Sequence, residues 1–132
     1  MIEIDLNAAP PAVRAFDYNH TRLAYPAPRN PDFSGMYSDG KDLYVVERSA
    51  DAICKVEYGG KELVQKETWS YRHIINDPEV GYSYNKYGLG EGLCMDEERI
   101  YLVIDNNGDH RASAPQDQRP LLLVMERPVS DD

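Results

Sequence analysis

The chain has 132 residues, and its 23 acidic and 14 basic side chains give a net charge of -9. That length fits a single domain, residues 1–132, with enough chain to bury a core. The charge argues against nucleic acid and against an anionic membrane surface as partners. No apolar run reaches the roughly 18 residues of a membrane span, and the first residues do not resemble a signal peptide. We therefore expect a soluble domain.

Residues 1–32 predict an N-terminal strand followed by a proline-rich connection. Apolar and acidic residues alternate over 2–6, which is the period of a strand with one solvated face. A weaker strand is expected around 13–18. Three prolines make 25–32 extended and irregular, because proline cannot occupy a helix interior or a central strand.

Residues 33–75 predict a four-stranded antiparallel meander. The expected strands are 34–38, 43–47, 53–58 and 63–71. Asp39-Gly40 separates the first two, and an Asp-Gly pair between two β-type runs is a strong hairpin signal. Gly59-Gly60 predicts the turn before the last strand.

A shift of 57 residues carries the first two strands and the turn of this pattern onto the second unit, residues 76–128. Ser34 falls on Glu91, Gly35 on Gly92, Asp39 on Asp96, Tyr44 on Tyr101 and Val46 on Val103. Residues 121–125 supply the next strand, and the fourth is missing. A four-stranded unit repeated at this period is typical of β-propeller blades, and the alternative is a simple meander sandwich. We therefore predict an all-β fold with two propeller-type blades, the second incomplete.

Two blades cannot close a ring, so their free edges need partners. The segment at 1–6 or the one at 13–18 is a candidate for the missing outer strand of the second blade. The remaining edges predict either a homo-oligomer or a piece of a longer chain.

Blade geometry predicts which loops lie together. The loop before the first strand of a blade and the loop after its second strand emerge at the same end. This rule collects 25–33, 47–51, 72–90 and 105–119 at one end of the molecule. Long loops on a rigid scaffold often carry function, so we expect any binding site there.

Oxygen-bearing side chains in the second unit suggest a cation site. Glu91 heads its innermost strand, and Asp105, Asn106 and Asp109 follow its second strand. These are hard ligands of the type that calcium or magnesium prefers. The run is not an EF-hand loop, because His110 stands where that loop needs glycine. The alternative is a turn held by hydrogen bonds from side chain to backbone.

Five further residues of these loops are candidates for ligand binding. Arg48 suits a carboxylate or phosphate group, and His73 suits proton transfer near neutral pH. Three tyrosines offer large amphipathic surfaces for a ligand or a protein contact: Tyr82, Tyr84 and Tyr87. The alternatives are structural, namely an ion pair, a solvated histidine and tyrosines packed on their own sheet. No catalytic motif accompanies these residues, and no organic cofactor is expected.

The two cysteines are predicted to be buried free thiols. Cys54 and Cys94 both fall within predicted strands and have apolar neighbours. Neither has a second cysteine or a histidine at the spacing of zinc ligands. The sequence itself leaves the compartment open.

The two strand-turn-strand motifs resemble the blades of phytase-like propellers, including the esterase-like activity of phytase group and the SdiA-regulated propellers. The motifs are Ser34-Gly35-Met36 followed by Asp-Gly-Lys-Asp-Leu-Tyr-Val-Val-Glu-Arg, and Glu91-Gly92-Leu93 followed by Asp-Glu-Glu-Arg-Ile-Tyr-Leu-Val-Ile-Asp-Asn-Asn. The likeness covers residues 32–127. It implies a calcium-associated or phosphoester-related propeller exported from bacteria, with Glu91 and Asp105 near the channel. Ser34 departs from the acidic residue of the second unit, and family members carry enough blades for a closed ring.

Two classes of function follow. The first is a module whose loops bind a small molecule or a protein, with or without a divalent cation. The second is a metal-assisted phosphoesterase in which the oxygen ligands hold a cation while Arg48 or His73 meets the phosphate. We favour the binding module, because so short a chain is not expected to supply every part of a hydrolase.

Overall fold

A computed structural model describes residues 2–10, 12–15, 17–19, 32–58, 62–86 and 89–129. Within these ranges nearly all of the regular secondary structure is β, which confirms the predicted all-β class. The strands are β1 (Ile2–Asp5), β2 (Ala12–Ala15), β3 (Asp17–Asn19), β4 (Phe33–Ser38), β5 (Leu43–Glu47), β6 (Ala52–Tyr58), β7 (Glu62–Ser70), β8 (Gly90–Met95), β9 (Arg99–Ile104) and β10 (Leu121–Glu126). A 3-10 turn at Arg48–Ala50 follows β5, and the helix α1 (Arg72–Ile75) follows β7. None of the described helices has the length and apolar character needed to cross a membrane.

The first sheet has the strand order β3-β7-β6-β5-β4. Its strands β4 to β7 form the predicted antiparallel meander. The predicted Asp-Gly turn is present: the Asp39 carboxylate accepts hydrogen bonds from the backbone N–H groups of Lys41 at 3.0 Å and Asp42 at 2.8 Å. Gly40 has a φ of +90°, which glycine adopts without strain. The predicted turn at 59–60 lies outside the described residues.

The second sheet has the order β8-β9-β10 and repeats the first three antiparallel strands of the meander. Leu102 in β9 stands between Leu93 in β8 and Leu123 in β10. The Asp96 carboxylate accepts hydrogen bonds from the N–H groups of Glu98 at 2.9 Å and Arg99 at 2.7 Å. Asp96 is the repeat equivalent of Asp39, so the two turns use the same residue in the same way.

The N-terminal strands differ from the prediction. A strand within 2–6 is confirmed as β1, but β1 pairs with β2 in a separate hairpin. The segment around 13–18 forms β2 and β3, and β3 joins the edge of the first sheet parallel to β7. Neither therefore completes the second sheet. The irregular connection predicted at 25–32 lies outside the described residues except for Asp32.

The main core lies between the two sheets. The first sheet contributes Tyr44, Val46 and Ile53, and the second contributes Ile100, Leu102 and Ile104, all nearly or fully buried. Strands β4 and β8 run close together at this interface. The Ser34 hydroxyl donates a hydrogen bond to the Gly90 carbonyl oxygen at 2.5 Å. A side chain at Gly35 would begin 2.9 Å from the carbonyl oxygen of Glu91, so glycine is needed for this close approach.

Arg127, just after β10, ties the second sheet to the first at the turn end of the interface. It donates hydrogen bonds to the Asp39 carboxylate and the Tyr44 hydroxyl, each at 2.7 Å. It also donates to the Asp96 carbonyl oxygen at 3.0 Å, and its guanidinium lies 5.2 Å from the centre of the Tyr44 ring. One side chain thus joins both repeat turns.

The outward faces of the two sheets differ in burial. In the first sheet a second cluster is buried on the face away from the main core: Val45, Cys54, Val56 and Leu63. The face of the second sheet that points away from the main core is open, with Val103 43%, Leu122 59% and Val124 52% exposed.

Because the outward face of the second sheet is open, the prediction that Cys94 is buried is wrong. Both cysteines are thiols and not disulfides, and Cys54 is buried as predicted, but Cys94 is exposed. Cys94 pairs across the sheet with Tyr101 and not with core-facing Leu102, so it lies on the open face of the second sheet.

Candidate functional site

The loops at one end of the two sheets come together as the blade geometry predicts for the described residues. The Arg48 N–H donates to the Asp32 carbonyl oxygen at 2.9 Å, which joins the end of β5 to the start of β4. The Asp105 N–H donates to the Leu89 carbonyl oxygen at 2.9 Å, which makes the same connection in the second unit. We call this end the loop face, and its described residues are 32, 47–51, 71–86, 89–91 and 105–119.

Arg48 and Glu91, two predicted site residues, bind each other. Arg48 donates to a Glu91 carboxylate oxygen at 2.7 Å and to an Asp32 carboxylate oxygen at 2.7 Å. The hydrogen bond with Asp32 is the main cause that raises the pKa of Arg48, opposed by burial and supported by Glu91. All three side chains remain between one third and one half exposed. The group predicted for a phosphate and the first predicted metal ligand thus neutralise each other across the two sheets.

A second ion pair on the loop face was not found from the sequence. Asp51 has no exposed surface, and its carboxylate accepts a hydrogen bond from Arg72 at 2.9 Å. Its φ of 51° lies in the left-handed region, which aspartate tolerates better than most residues. Its carbonyl oxygen accepts the Tyr71 N–H at 2.9 Å. The pair anchors the 3-10 turn to α1, where the predicted residue His73 is exposed.

Asp109 holds the tyrosine-containing loop in place. One carboxylate oxygen accepts the backbone N–H groups of Tyr84 at 2.7 Å and Asn85 at 2.9 Å. The other accepts the His110 N–H at 2.7 Å. Burial raises the pKa of Asp109, but these backbone donors outweigh it and leave that pKa below its ordinary value. The predicted metal ligand thus acts as a hydrogen-bond acceptor within the protein.

The remaining predicted metal ligands also take part in the loop structure. Asn106 donates from its side chain to the carbonyl oxygens of Asp109, at 2.9 Å, and Gln118. Asp105 lies near enough to Tyr82 to help raise the pKa of that phenol, for which burial is the main cause. Among the residues that the structure describes, no three His, Cys, Asp or Glu side chains are grouped in a way that would hold a metal ion. The hydrogen bonds favour the turn alternative.

Of the predicted tyrosines that the structure describes, Tyr82 is buried and Tyr84 is exposed. Tyr82 is 1% exposed, donates its hydroxyl to the Arg119 carbonyl oxygen at 2.8 Å and lies beneath the Arg111 guanidinium, 5.5 Å from its ring centre. It is therefore a packing residue. Tyr84 is 80% exposed, and its ring meets that of His110 edge to face at 5.7 Å. Tyr87 lies outside the described residues.

Comparisons with protein-family models, with curated proteins and with solved structures found no match for this chain. The likeness to phytase-like propellers therefore stays a prediction from the two sequence motifs.

Proposed function

We propose that this protein is a binding module of two β-propeller-type blades whose loop face binds a positively charged segment of a protein ligand. Four observations support the blade interpretation: the 57-residue repeat, the equivalent turns at Asp39 and Asp96, the contact between β4 and β8, and the loops gathered at one end. In a propeller the first strands of neighbouring blades lie side by side in this way.

The main observation behind the binding proposal is that Tyr84 has an exposed ring and a backbone held in place. Its side chain is 80% exposed, whereas its backbone is fixed by the buried carboxylate of Asp109. An exposed aromatic ring on a rigid support gives a large contact area at a low cost in conformational entropy. His110 extends this surface, because its ring packs against Tyr84.

The charges on the loop face favour a cationic ligand over a phosphate ester. The loop face has nine acidic and five basic residues. Arg48, Arg72 and Arg119 are bound to carboxylates, and Arg111 and Lys86 donate to backbone carbonyl oxygens. The chain as a whole carries a net charge of -9, which attracts basic segments and speeds their encounter. The face of a tyrosine ring also binds Lys and Arg side chains directly.

The test compares two exposed tyrosines at opposite ends of the molecule. Tyr84 is on the loop face, and Tyr58, 53% exposed, ends β6 away from it. A peptide array graded in positive charge identifies a binding peptide, and calorimetry then measures its affinity for the wild type, Tyr84→Ala and Tyr58→Ala. We expect Tyr84→Ala to weaken binding by roughly tenfold or more, and Tyr58→Ala to have the wild-type affinity.

Three results would count against this function. They are a preference for acidic peptides, an equal loss of affinity in both variants, and no binding to any basic peptide. Both substitutions remove exposed rings, so the melting temperatures of the variants should stay close to that of the wild type. A loss of binding by Tyr84→Ala therefore reports on contact with the ligand and not on unfolding.

A further inference from the structure

We infer that the outer edge of β10 is an association site at which two copies of this chain pair antiparallel, so that their three-stranded sheets become one continuous sheet. This surface is separate from the loop face. The inference does not depend on the proposed ligand.

In the first sheet, the edge equivalent to the outer edge of β10 is covered by a further strand. Strands β4, β5 and β6 correspond in order to β8, β9 and β10. In the first sheet β6 is paired with β7 from Ala52 to Tyr58. In the second sheet β9 occupies one side of β10, and no strand within the described ranges lies on its other side. Among the described residues, the position of a fourth strand next to β10 is therefore unfilled.

Within β10 the edge lacks several of the features that usually prevent strands from associating. Natural edge strands carry lysine, proline or a bulge, or they are very short. Strand β10 has the sequence Leu-Leu-Leu-Val-Met-Glu, and its register with β9 is unbroken over all six residues. Leu122 and Val124 are 59% and 52% exposed. Such a strand is suited to accept another through its backbone, as in β-augmentation.

The sequence around β10 is self-complementary, which identifies the second strand as another copy of β10. Pro120 and Pro128 flank the strand, and because proline has no N–H they end the pairing on both sides. A two-fold axis at Val124 places Pro120 of one copy opposite Pro128 of the other. It also places Val124 opposite Val124 and Leu122 opposite Glu126. The only charged side chain of the strand then faces an apolar one, and no like charges stand directly opposite each other.

The net charge of the chain predicts how the affinity of this dimer depends on salt concentration. Each copy carries a charge of -9, so two copies repel each other at low ionic strength. Salt screens that repulsion and leaves the backbone pairing intact. The dimer should therefore be tighter at high salt than at low salt.

Analytical ultracentrifugation of the full chain over a wide concentration range tests the inference. The wild type should show a monomer–dimer equilibrium. Val124→Lys places two ammonium groups across the axis and should raise the dimer dissociation constant by roughly tenfold or more. The matched control is Val103→Lys, which adds the same charge to the same open face but one strand in from the edge, and which should leave the dissociation constant unchanged. Far-UV circular dichroism should show that both variants are folded, because both sites are exposed.

Hydrogen exchange gives a second measurement on the wild type. The amides within 121–126 that point away from β9 should exchange more slowly as the concentration rises. A wild type that stays monomeric at every concentration and salt would overturn the inference. So would exchange in 121–126 that is independent of concentration. An equal effect of Val103→Lys and Val124→Lys would show association through the sheet face, which also overturns pairing at the edge.

Discussion

The two sheets share one sequence repeat but differ in what surrounds them. The first sheet has buried side chains on both faces, and β7 covers the edge of β6. Among the described residues, the second sheet is buried only on the face toward the first. The 57-residue shift carries Val46, which has no exposed surface, onto Val103, which is 43% exposed. The repeat therefore sets strands and turns, whereas the neighbouring elements decide which apolar residues are buried.

The largest loss of stability should come from a substitution on the face of β9 that packs against the first sheet. Leu102 has no exposed surface, and Leu102→Ala should lower the free energy of unfolding by about 2–5 kcal/mol through lost burial and a cavity. Val103→Ala, one residue later on the open face, should change it by about 0.5 kcal/mol or less. Urea denaturation measures both. Equal losses would mean that the two faces of the second sheet are equally buried.

A smaller effect is expected from the arginine that joins the two sheets. Arg127→Ala removes the hydrogen bonds to Asp39 and Tyr44, and should cost about 2 kcal/mol because these groups are mostly shielded from water. Arg119→Ala is the control: Arg119 also binds a carboxylate, that of Asp117, but its side chain is 84% exposed. That change should cost about 1 kcal/mol or less. If the two variants are equally stable, Arg127 does not hold the sheets together.

The smallest change in stability should come from Asp39→Asn, and it should appear only at acidic pH. The backbone N–H of Asp42, followed by the Arg127 guanidinium, holds the pKa of Asp39 well below its ordinary value of 3.8. The ionised form is thus favoured by folding. Its contribution to stability is complete above the unfolded pKa, which is close to that ordinary value, and is lost as the pH falls toward the folded pKa. Melting temperatures measured below about pH 4 should fall less steeply for Asp39→Asn than for the wild type. If the melting temperatures of the two proteins fall in parallel as the pH is lowered, the hydrogen bonds assigned to Asp39 would be contradicted.

Local structure was the most predictable part of this chain. A short apolar run predicted β5 at 43–47 with the observed bounds, and the Asp-Gly pair predicted the turn before it. The helix α1 was missed, because four residues are too few to show a helical period. The parallel pairing of β3 with β7 was also missed, since nothing within β3 specifies a partner so distant in sequence.

The sequence singled out individual residues of the loop face but not the contacts between them. Arg48 and Glu91 were each selected for chemistry, yet the ion pair between them joins residues 43 positions apart. Asp109 was selected as an oxygen ligand, whereas its oxygens receive backbone N–H groups from a loop that lies earlier in the chain. Asp51 gave only a weak signal, a single acidic residue before an apolar strand. Such pairings depend on how the sheets pack, which alternation and turn motifs do not encode.

One pair of substitutions tests most directly whether equivalent positions of the repeat differ in their surroundings. A methyl group at Gly35 would lie 2.9 Å from the Glu91 carbonyl oxygen, whereas one at its equivalent Gly92 would have its nearest contact at 3.6 Å, with Val103. We predict from chemical denaturation that Gly35→Ala lowers the free energy of unfolding by roughly 1–3 kcal/mol. Gly92→Ala should leave it within about 0.5 kcal/mol or raise it slightly. Equal destabilisation by both, or none by Gly35→Ala, would contradict this account of the two sheets.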